Sequence, residues 1–368
     1  MSVSLKKLSE QVVVVTGASS GIGLATAREA ARRGARVVLV ARDEIDLRSA
    51  ADAIRADGGR AMYVAADVAD FDQVAAVAER TVDAFGGIDT WVNNAGVSIY
   101  GRITDVPLAD ARRLFETNYW GLVHGSLVAV PHLRRGGGVL INVGSVLSDT
   151  TMPLQGHYSA SKHAVKGFTD ALRIELEEED APVAVVLVKP AAIDTPYPEH
   201  AANHLGVAPK HQAPVYAPDV VAAAILDAAE HPRRDVKVGG SAKVYTALET
   251  FAPRLADKFK QATSFSGQRS DRPAAGASTL YAPQSGDARE RGSYPGRVMK
   301  SSAYTVARRN PVATALGAAA VGLGVALAAR SRGQDARDRD ARDRDARDRD
   351  ARDRDARERD DRERGGRP

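Results

Sequence analysis

A run of valines followed by a glycine-rich turn constrains the fold of this 368-residue chain more than any other feature. The valines occupy positions 12–15, and the turn reads Thr-Gly-Ala-Ser-Ser-Gly-Ile-Gly over 16–23. A uniformly apolar run predicts a strand covered on both faces, as in a parallel sheet between helices. Glycines permit a tight turn into a helix, whose first amides can hold a pyrophosphate, although similar turns also close ordinary strand-helix units. The phosphate contacts expected here are Gly17, Ser19, Ser20, Gly21, Ile22 and Gly23.

Apolar runs and amphipathic stretches alternate along the first two-thirds of the chain. The predicted strands are 12–15, 36–40, 61–65, 88–92, 139–143, 183–188 and 236–240. The predicted helices are 22–31, 44–56, 71–85, 108–133, 157–176 and 222–229. This alternation predicts an α/β fold with a doubly wound parallel sheet.

Three reactive side chains lie close together in the sequence between Ser145 and Lys162. Ser145 follows the apolar run 139–143, so its hydroxyl is expected at the carboxyl edge of a strand. Tyr158 and Lys162 are four residues apart and share one face of a helix that begins near position 157. A neighbouring cation would lower the phenol pKa from its usual value of about 10, which makes tyrosine a usable proton donor. A Tyr-x-x-x-Lys pair alone is common, and it gains weight here from its order after the glycine turn.

Taken in this order, the motifs resemble those of the short-chain dehydrogenase/reductase family over roughly residues 8–250. The resemblance implies a Rossmann-like fold and a catalytic tetrad of Asn118, Ser145, Tyr158 and Lys162. It also implies hydride transfer between a nicotinamide and an alcohol or carbonyl substrate, with Tyr158 as general acid/base, and self-association of the chain. For Asn118 the alternative is a core asparagine satisfied by neighbouring backbone. For the whole chain the alternative is a membrane-tethered nucleotide-binding scaffold without turnover.

The second strand ends at Ala41-Arg42. In dinucleotide-binding folds, the residues at this place determine the preference for NAD or NADP. An acidic residue at this place bonds the ribose hydroxyls of NAD, whereas an arginine accepts the 2′-phosphate of NADP. Ala41 occupies the position at which NAD-preferring members of the family usually carry the acid. NADP is therefore the expected cofactor. The alternative is that Arg42 is only a solvated residue and that Asp43 caps the next helix.

The resemblance implies further cofactor contacts along the chain. Asp67 and Val68 are expected beside the adenine, although Asp67 could equally cap a turn. Thr195 is expected at the nicotinamide carboxamide, and Tyr158 and Lys162 also contact the cofactor. Ala191 departs from the family's usual Pro-Gly pair at this loop. The remaining implied contacts are Asn94, Ala95, Gly96, Pro190 and Ile193.

Composition excludes several other classes of protein. Without cysteine, the chain has neither disulfides nor a thiolate metal site, and its scattered histidines do not form a metal site either. The 51 basic and 47 acidic residues are interleaved, which does not favour nucleic-acid binding. The first residues lack a long apolar segment, so a catalytic domain in the cytoplasm is expected.

The C-terminal third differs in composition from the catalytic domain expected at 1–262. Residues 263–310 are rich in Gly, Ser, Pro and Arg and predict an irregular linker. Residues 311–329 are uncharged and long enough for one transmembrane helix, or form an alanine-rich soluble or interfacial helix. Residues 330–368 contain repeats of Asp-Ala-Arg-Asp-Arg and predict a disordered tail.

Overall fold

The computed structural model describes residues 5–274 and 278–302, together with positions 305, 349, 351, 352 and 354. The chain divides into two compact units, 1–309 and 310–368. The four described positions of the second unit have helical backbone.

Seven strands of the first unit form one parallel sheet in the order β12-β7-β6-β4-β1-β2-β3. The chain leaves β1 first toward β2 and later toward β4, so the direction of winding reverses between β1 and β4. Ligands of such folds bind at this reversal, beyond the carboxyl ends of the strands. The strands, including short ones outside this sheet, are β1 (Val12–Thr16), β2 (Arg36–Ala41), β3 (Arg60–Ala65), β4 (Thr90–Asn93), β5 (Ile99–Tyr100), β6 (Gly138–Val143), β7 (Val183–Pro190), β8 (Ala192–Ile193), β9 (Ala202–Asn203), β10 (Val207–Pro209), β11 (Val215–Tyr216), β12 (Asp235–Val238), β13 (Arg269–Pro273) and β14 (Val298–Met299).

Helices cover both faces of the sheet. They are α1 (Gly21–Arg32), α2 (Glu44–Ala56), α3 (Phe71–Phe85), α4 (Leu108–Phe115), α5 (Gly121–Gly136), α6 (Gly156–Glu178), α7 (Tyr197–His200), α8 (Pro218–Glu230), α9 (Gly240–Phe251) and α10 (Pro253–Gly267). Val13 and Val15 of β1 pack with α1, α2 and α8, whereas Val14 packs with α3, α5 and α6. Alternate valines thus enter two separate cores, which explains why the whole run is apolar.

The predicted α/β fold with a parallel central sheet is confirmed, with two local differences. The fourth strand begins at Thr90 instead of Ile88, because the Asp89 carboxylate turns back to accept a hydrogen bond from Val12 N–H at 2.7 Å. The helix predicted over 108–133 is divided by a π-helical turn at Glu116–Trp120.

The segment after α10 is closely associated with the first unit. The sequence predicts an irregular linker over 263–310, whereas α10 continues to Gly267, β13 pairs with β10, and β14 pairs with β11. Residues 278–291, here called the C-terminal strap, have little regular structure but bond to the first turns of α1 and α2. These hydrogen bonds explain why the segment packs within the first unit.

Within the part of the chain that the structure describes, no helix has both the length and the apolar character needed to cross a bilayer. The transmembrane helix predicted at 311–329 and most of the tail predicted at 330–368 lie outside the described residues.

Asn93 connects three elements of the core and provides a test of the packing. Its Nδ2 donates to Asn142 Oδ1 at 2.9 Å and to Ser126 Oγ at 3.1 Å, and its Oδ1 accepts from Trp91 Nε1 at 2.8 Å. Asn93→Ala would leave these buried groups without their partner. We expect the free energy of unfolding to fall by about 2–4 kcal/mol in urea denaturation. The exposed control Thr104→Ala should change it by less than about 0.5 kcal/mol, and an equally small change for Asn93→Ala would contradict this role.

Candidate active site

The centre of the site is the loop that follows β6. Gly144 N–H donates to a β7 carbonyl at 2.8 Å and extends the pairing of the two strands by one residue. Ser145 then caps a short 3₁₀ turn, with its Oγ accepting a hydrogen bond from Leu147 N–H at 3.1 Å. The same hydroxyl interacts with Tyr158. The structure therefore holds the Ser145 hydroxyl at the carboxyl edge of the sheet.

Tyr158 and Lys162 lie one turn apart on the same face of α6. The Tyr158 hydroxyl interacts with the side chains of Ser145 and Tyr197. Lys162 Nζ donates to the Val143 carbonyl at 2.9 Å and lies 5.7 Å from the centre of the Tyr158 ring. The phenol, the ammonium and the serine hydroxyl thus converge at one place.

Burial changes the pKa of both ionisable groups. Lys162 is 4% exposed, and burial lowers its pKa to about 8. Burial raises the pKa of Tyr158, while its hydrogen bonds to Ser145 and Tyr197 act in the opposite direction. The sequence predicted that Lys162 lowers the pKa of the Tyr158 phenol. In the structure, Ser145 and Tyr197 are the side chains that lower this pKa, against the larger effect of burial. Lys162 contributes a buried ammonium whose pKa burial lowers to about 8.

Asn118 lies inside the π-helical turn between α4 and α5. Its Oδ1 accepts from Val97 N–H at 2.7 Å, and its Nδ2 donates to the Val97 carbonyl at 2.9 Å and to Ser161 Oγ at 3.2 Å. The side chain therefore joins the loop after β4 to α6. Its backbone partners agree with the interpretation of a satisfied core asparagine, and π turns within helices are frequent at functional sites.

The glycine turn is fixed by Asn94, whose Nδ2 donates to the carbonyls of Thr16 at 2.9 Å and Gly17 at 3.3 Å. Gly17 has a φ of +66°, and a Cβ there would lie 2.8 Å from Ala95 Cα. Gly23 has a packing role, because a Cβ at this position would lie 2.1 Å from the Gly17 carbonyl oxygen. The turn thus requires glycine at both positions and leaves the start of α1 close to the cavity, which fits a pyrophosphate. One amide of this first turn, Gly21 N–H, donates to the Arg289 carbonyl at 3.0 Å.

One cavity of about 330 Å³ connects the glycine turn to Ser145, Tyr158 and Lys162. This volume lies within the range of small-molecule sites. Asn118 stands behind the wall at Gly96, where a Cβ would lie 3.3 Å from its Oδ1. The predicted residues that line the cavity are Gly17, Ser19, Ser20, Gly21, Ile22, Arg42, Asp67, Val68, Asn94, Ala95, Gly96, Ser145, Tyr158, Lys162, Pro190, Ile193 and Thr195.

Arg42 lies where the sequence places it, at the end of β2, but its guanidinium already has partners. It donates to the carbonyls of Thr279, Leu280 and Tyr281 in the C-terminal strap. Burial lowers the pKa of Arg42, and the nearby Asp67 carboxylate opposes that effect. Arg42 is therefore bonded within the fold and is not merely solvated.

The two aspartates near Arg42 have structural partners. Asp43 caps α2 by accepting a hydrogen bond from Asp46 N–H at 2.9 Å, in agreement with one interpretation of the sequence. Asp67 accepts from Ala69 N–H at 3.0 Å, forms an ion pair with Arg113, and also lines the cavity. Asp67 therefore both stabilises a turn and faces the candidate adenine site.

The sequence did not identify Tyr197 or the strap as part of the site. Tyr197 O–H donates to the Val97 carbonyl at 2.7 Å, and its ring meets that of Tyr158 edge to face. The segment 197–216 also contributes Lys210, His211 and Gln212 to the cavity. The sequence offered one signal for Tyr197: it is an aromatic residue two positions after Thr195, which the resemblance places at the cofactor.

Residues 11–205 match the family described as short chain dehydrogenase. The chain belongs to this family. It is 44% identical over 316 residues to the uncharacterized oxidoreductase YxnA of Bacillus subtilis (strain 168), covering 84% of this chain and 88% of the relative. Because 84% of 368 residues is about 309, this match extends beyond residue 262 into the C-terminal segment.

Two solved structures share the fold. A short chain dehydrogenase/reductase from Burkholderia phymatum in complex with NAD has a TM-score of 0.61 at 27% identity, covering 69% of this chain and 96% of that one. An alcohol dehydrogenase from Thermococcus sibiricus complexed with 5-hydroxy-NADP has a TM-score of 0.55 at 26% identity, covering 62% of this chain and 94% of that one. The chain is thus an oxidoreductase of this family, and nicotinamide dinucleotides are the cofactors bound by its structural neighbours.

Proposed function

We propose that this chain transfers hydride between NADP(H) and an alcohol or carbonyl substrate, with Tyr158 as the general acid/base. The observation that carries the proposal is the convergence of Ser145, Tyr158 and Lys162 on the cavity that the glycine turn also lines. A bound nicotinamide dinucleotide supplies the hydride in reduction and accepts it in oxidation. The substrate is a small molecule, since the cavity has the volume of a small-molecule site.

The proposed roles follow from the position of each side chain. In reduction, Ser145 O–H donates to the substrate carbonyl oxygen, and Tyr158 O–H gives that oxygen its proton. Lys162, held by the Val143 carbonyl, supports the resulting phenolate with its positive charge and holds the nicotinamide ribose. The Asn118 side chain is already bonded to Val97 and Ser161. We therefore propose that Asn118 is a positioning residue that holds α6, and with it Lys162, against the loop after β4.

A screen of aldehydes and ketones tests the proposal. The full chain is mixed with NADPH and each substrate, and the loss of NADPH absorbance is followed while binding of NADPH is measured by its fluorescence. We expect turnover of at least one carbonyl compound. Binding of NADPH without turnover of any compound would favour the scaffold alternative.

The preference for NADP(H) depends on Arg42. Ala41 provides no acid to the ribose, and Arg42 lines the cavity at the end of β2. In Arg42→Ala we expect KM for NADPH to rise about tenfold while KM for NADH changes by less than about twofold, because a charge-assisted phosphate bond is lost. Steady-state kinetics with both cofactors measure the ratio. Arg48→Ala, which removes an exposed arginine from α2, is the control, and an unchanged ratio in Arg42→Ala would refute the assignment.

A further inference from the structure

The C-terminal strap is anchored around the end of β2 and the start of α2. The N–H groups of Gly286 and Asp287 donate to the Asp46 carboxylate at 2.9 and 3.2 Å, and Ser285 O–H donates to Asp43. Leu280 is 1% exposed and packs in the same apolar cluster as Tyr158. The strap is therefore fixed to the fold beside the carboxyl end of β2.

A second set of contacts fastens the strap to α1 and to the segment after β8. The Arg289 carbonyl accepts from Gly21 N–H at 3.0 Å, at the first turn of α1. The Asp287 carboxylate lies 2.6 Å from His200 Nε2, and the Arg289 guanidinium forms ion pairs with Glu199 and Asp287. The strap thus spans the cavity from α2 to α7.

The strap covers the cavity without filling it. Thr279, Pro283, Gln284 and Asp287 line the same space as the glycine turn and Asp67. A dinucleotide in this space would have the strap on one side and the family's cofactor motifs on the other. The strap is therefore part of the candidate cofactor site.

Arg42 connects the strap to the choice of cofactor. Its Nη1 donates to the carbonyls of Leu280 at 3.5 Å and Tyr281 at 3.1 Å, and its Nη2 donates to that of Thr279. Arginine at this position is the residue type that accepts a 2′-phosphate. If a phosphate bound the same guanidinium, it would lie near these three carbonyl oxygens. Each of these oxygens is the negative end of a dipole and would repel the phosphate. The strap and the phosphate are thus alternative ligands of the same side chain.

We propose that the C-terminal strap determines cofactor specificity by competing with the 2′-phosphate of NADP(H) for Arg42. This inference rests on the proposed function, because it requires that nicotinamide dinucleotides bind in the cavity. NAD(H) has no 2′-phosphate and binds with the strap still bonded to Arg42. NADP(H) draws Arg42 from the strap carbonyls, since a guanidinium bonds a phosphate more strongly than a neutral carbonyl. Weakening the strap elsewhere therefore favours NADP(H) selectively.

The test weakens the strap at two anchors that do not touch Arg42. In the full chain carrying Ser285→Ala and Arg289→Ala, Kd values for NADPH and NADH are measured by cofactor fluorescence. We expect the ratio of Kd for NADH to Kd for NADPH to rise about fivefold or more relative to the parent chain. A general loss of contacts with the cofactor changes both Kd values and cancels in this ratio. Arg32→Ala, which removes a highly exposed arginine of α1 outside the strap contacts, is the control and should leave the ratio unchanged.

Hydrogen exchange of the unmodified chain gives a second readout that does not depend on the variants folding. Peptides from 278–291 should exchange faster with saturating NADPH than with saturating NADH. An unchanged Kd ratio in the double variant, or equal exchange with the two cofactors, would overturn the inference while leaving the proposed function intact. Failure of the unmodified chain to bind either cofactor would overturn both proposals.

Discussion

Replacing Tyr158 with phenylalanine is expected to lower kcat/KM by about 10³-fold, because the variant loses the proton donor and keeps the shape of the ring. The side chain is 9% exposed, and its hydroxyl bonds to Ser145 and Tyr197. The loss of these hydrogen bonds should lower the free energy of unfolding by only about 1 kcal/mol. Steady-state kinetics with NADPH and a fluorescence titration of the cofactor separate the loss of chemistry from a loss of binding.

Tyr100→Phe is a matched control for this variant. Tyr100 is also buried, lines the same cavity and loses the same hydroxyl on substitution. We expect it to change kcat/KM by less than about tenfold, since Tyr158 would still supply the proton. Retention of more than a tenth of the parent activity in Tyr158→Phe would remove Tyr158 from its proposed role.

Lys162→Met is expected to lower activity by about 10²-fold or more and to stabilise the folded chain at pH 7. Burial lowers the pKa of Lys162 from 10.5 to about 8, so the folded state disfavours the charged form that the unfolded state accepts. The resulting destabilisation is fully present below pH 8 and disappears as the pH rises to about 10.5. The free energy of unfolding of the parent chain should therefore rise across this interval through Lys162, and methionine should remove that part of the pH dependence.

At pH 7 the free energy of unfolding of Lys162→Met should exceed that of the parent chain by about 2 kcal/mol. This increase is smaller than the full pKa difference implies, because the hydrogen bond to the Val143 carbonyl is lost as well. Urea denaturation at pH 7 and pH 9.5 measures the effect. Lys166→Met, on the same helix and more exposed, is the control and should show no such gain. Lower stability of Lys162→Met at pH 7 would mean that the carbonyl bond outweighs the cost of burying the ammonium.

Most of the central sheet could be predicted because its inner strands are buried on both faces and therefore read as apolar runs. β1 shows this directly, since successive valines enter opposite cores. Boundaries were less predictable where a polar side chain decides them. β4 begins only after Asp89, because the Asp89 carboxylate accepts a hydrogen bond from Val12 N–H. These two residues are far apart in the chain, so the sequence pattern did not predict the boundary.

The site shows the same division between local and distant contacts. The one-turn spacing of Tyr158 and Lys162 and the position of Ser145 after a strand are local features, and the sequence carries them. The bonds from Arg42 to the strap join residues 237 to 239 positions apart, and the strap itself has no periodic pattern. Tyr197 likewise becomes a partner of Tyr158 only after the segment following β8 has folded over the cavity. Such contacts depend on the tertiary structure, so sequence spacing alone did not predict them.

Isotope transfer tests the central claim most directly. The full chain is incubated with NADPH that carries two deuterium atoms at C4 of the nicotinamide and with a ketone that the chain reduces, and the alcohol product is examined by mass spectrometry. The proposed chemistry predicts one deuterium on the carbinol carbon of each alcohol molecule formed. With Tyr158→Phe, deuterated alcohol should form only at the residual rate of that variant. A bound and saturating cofactor that delivers no deuterium to any carbonyl compound would contradict it.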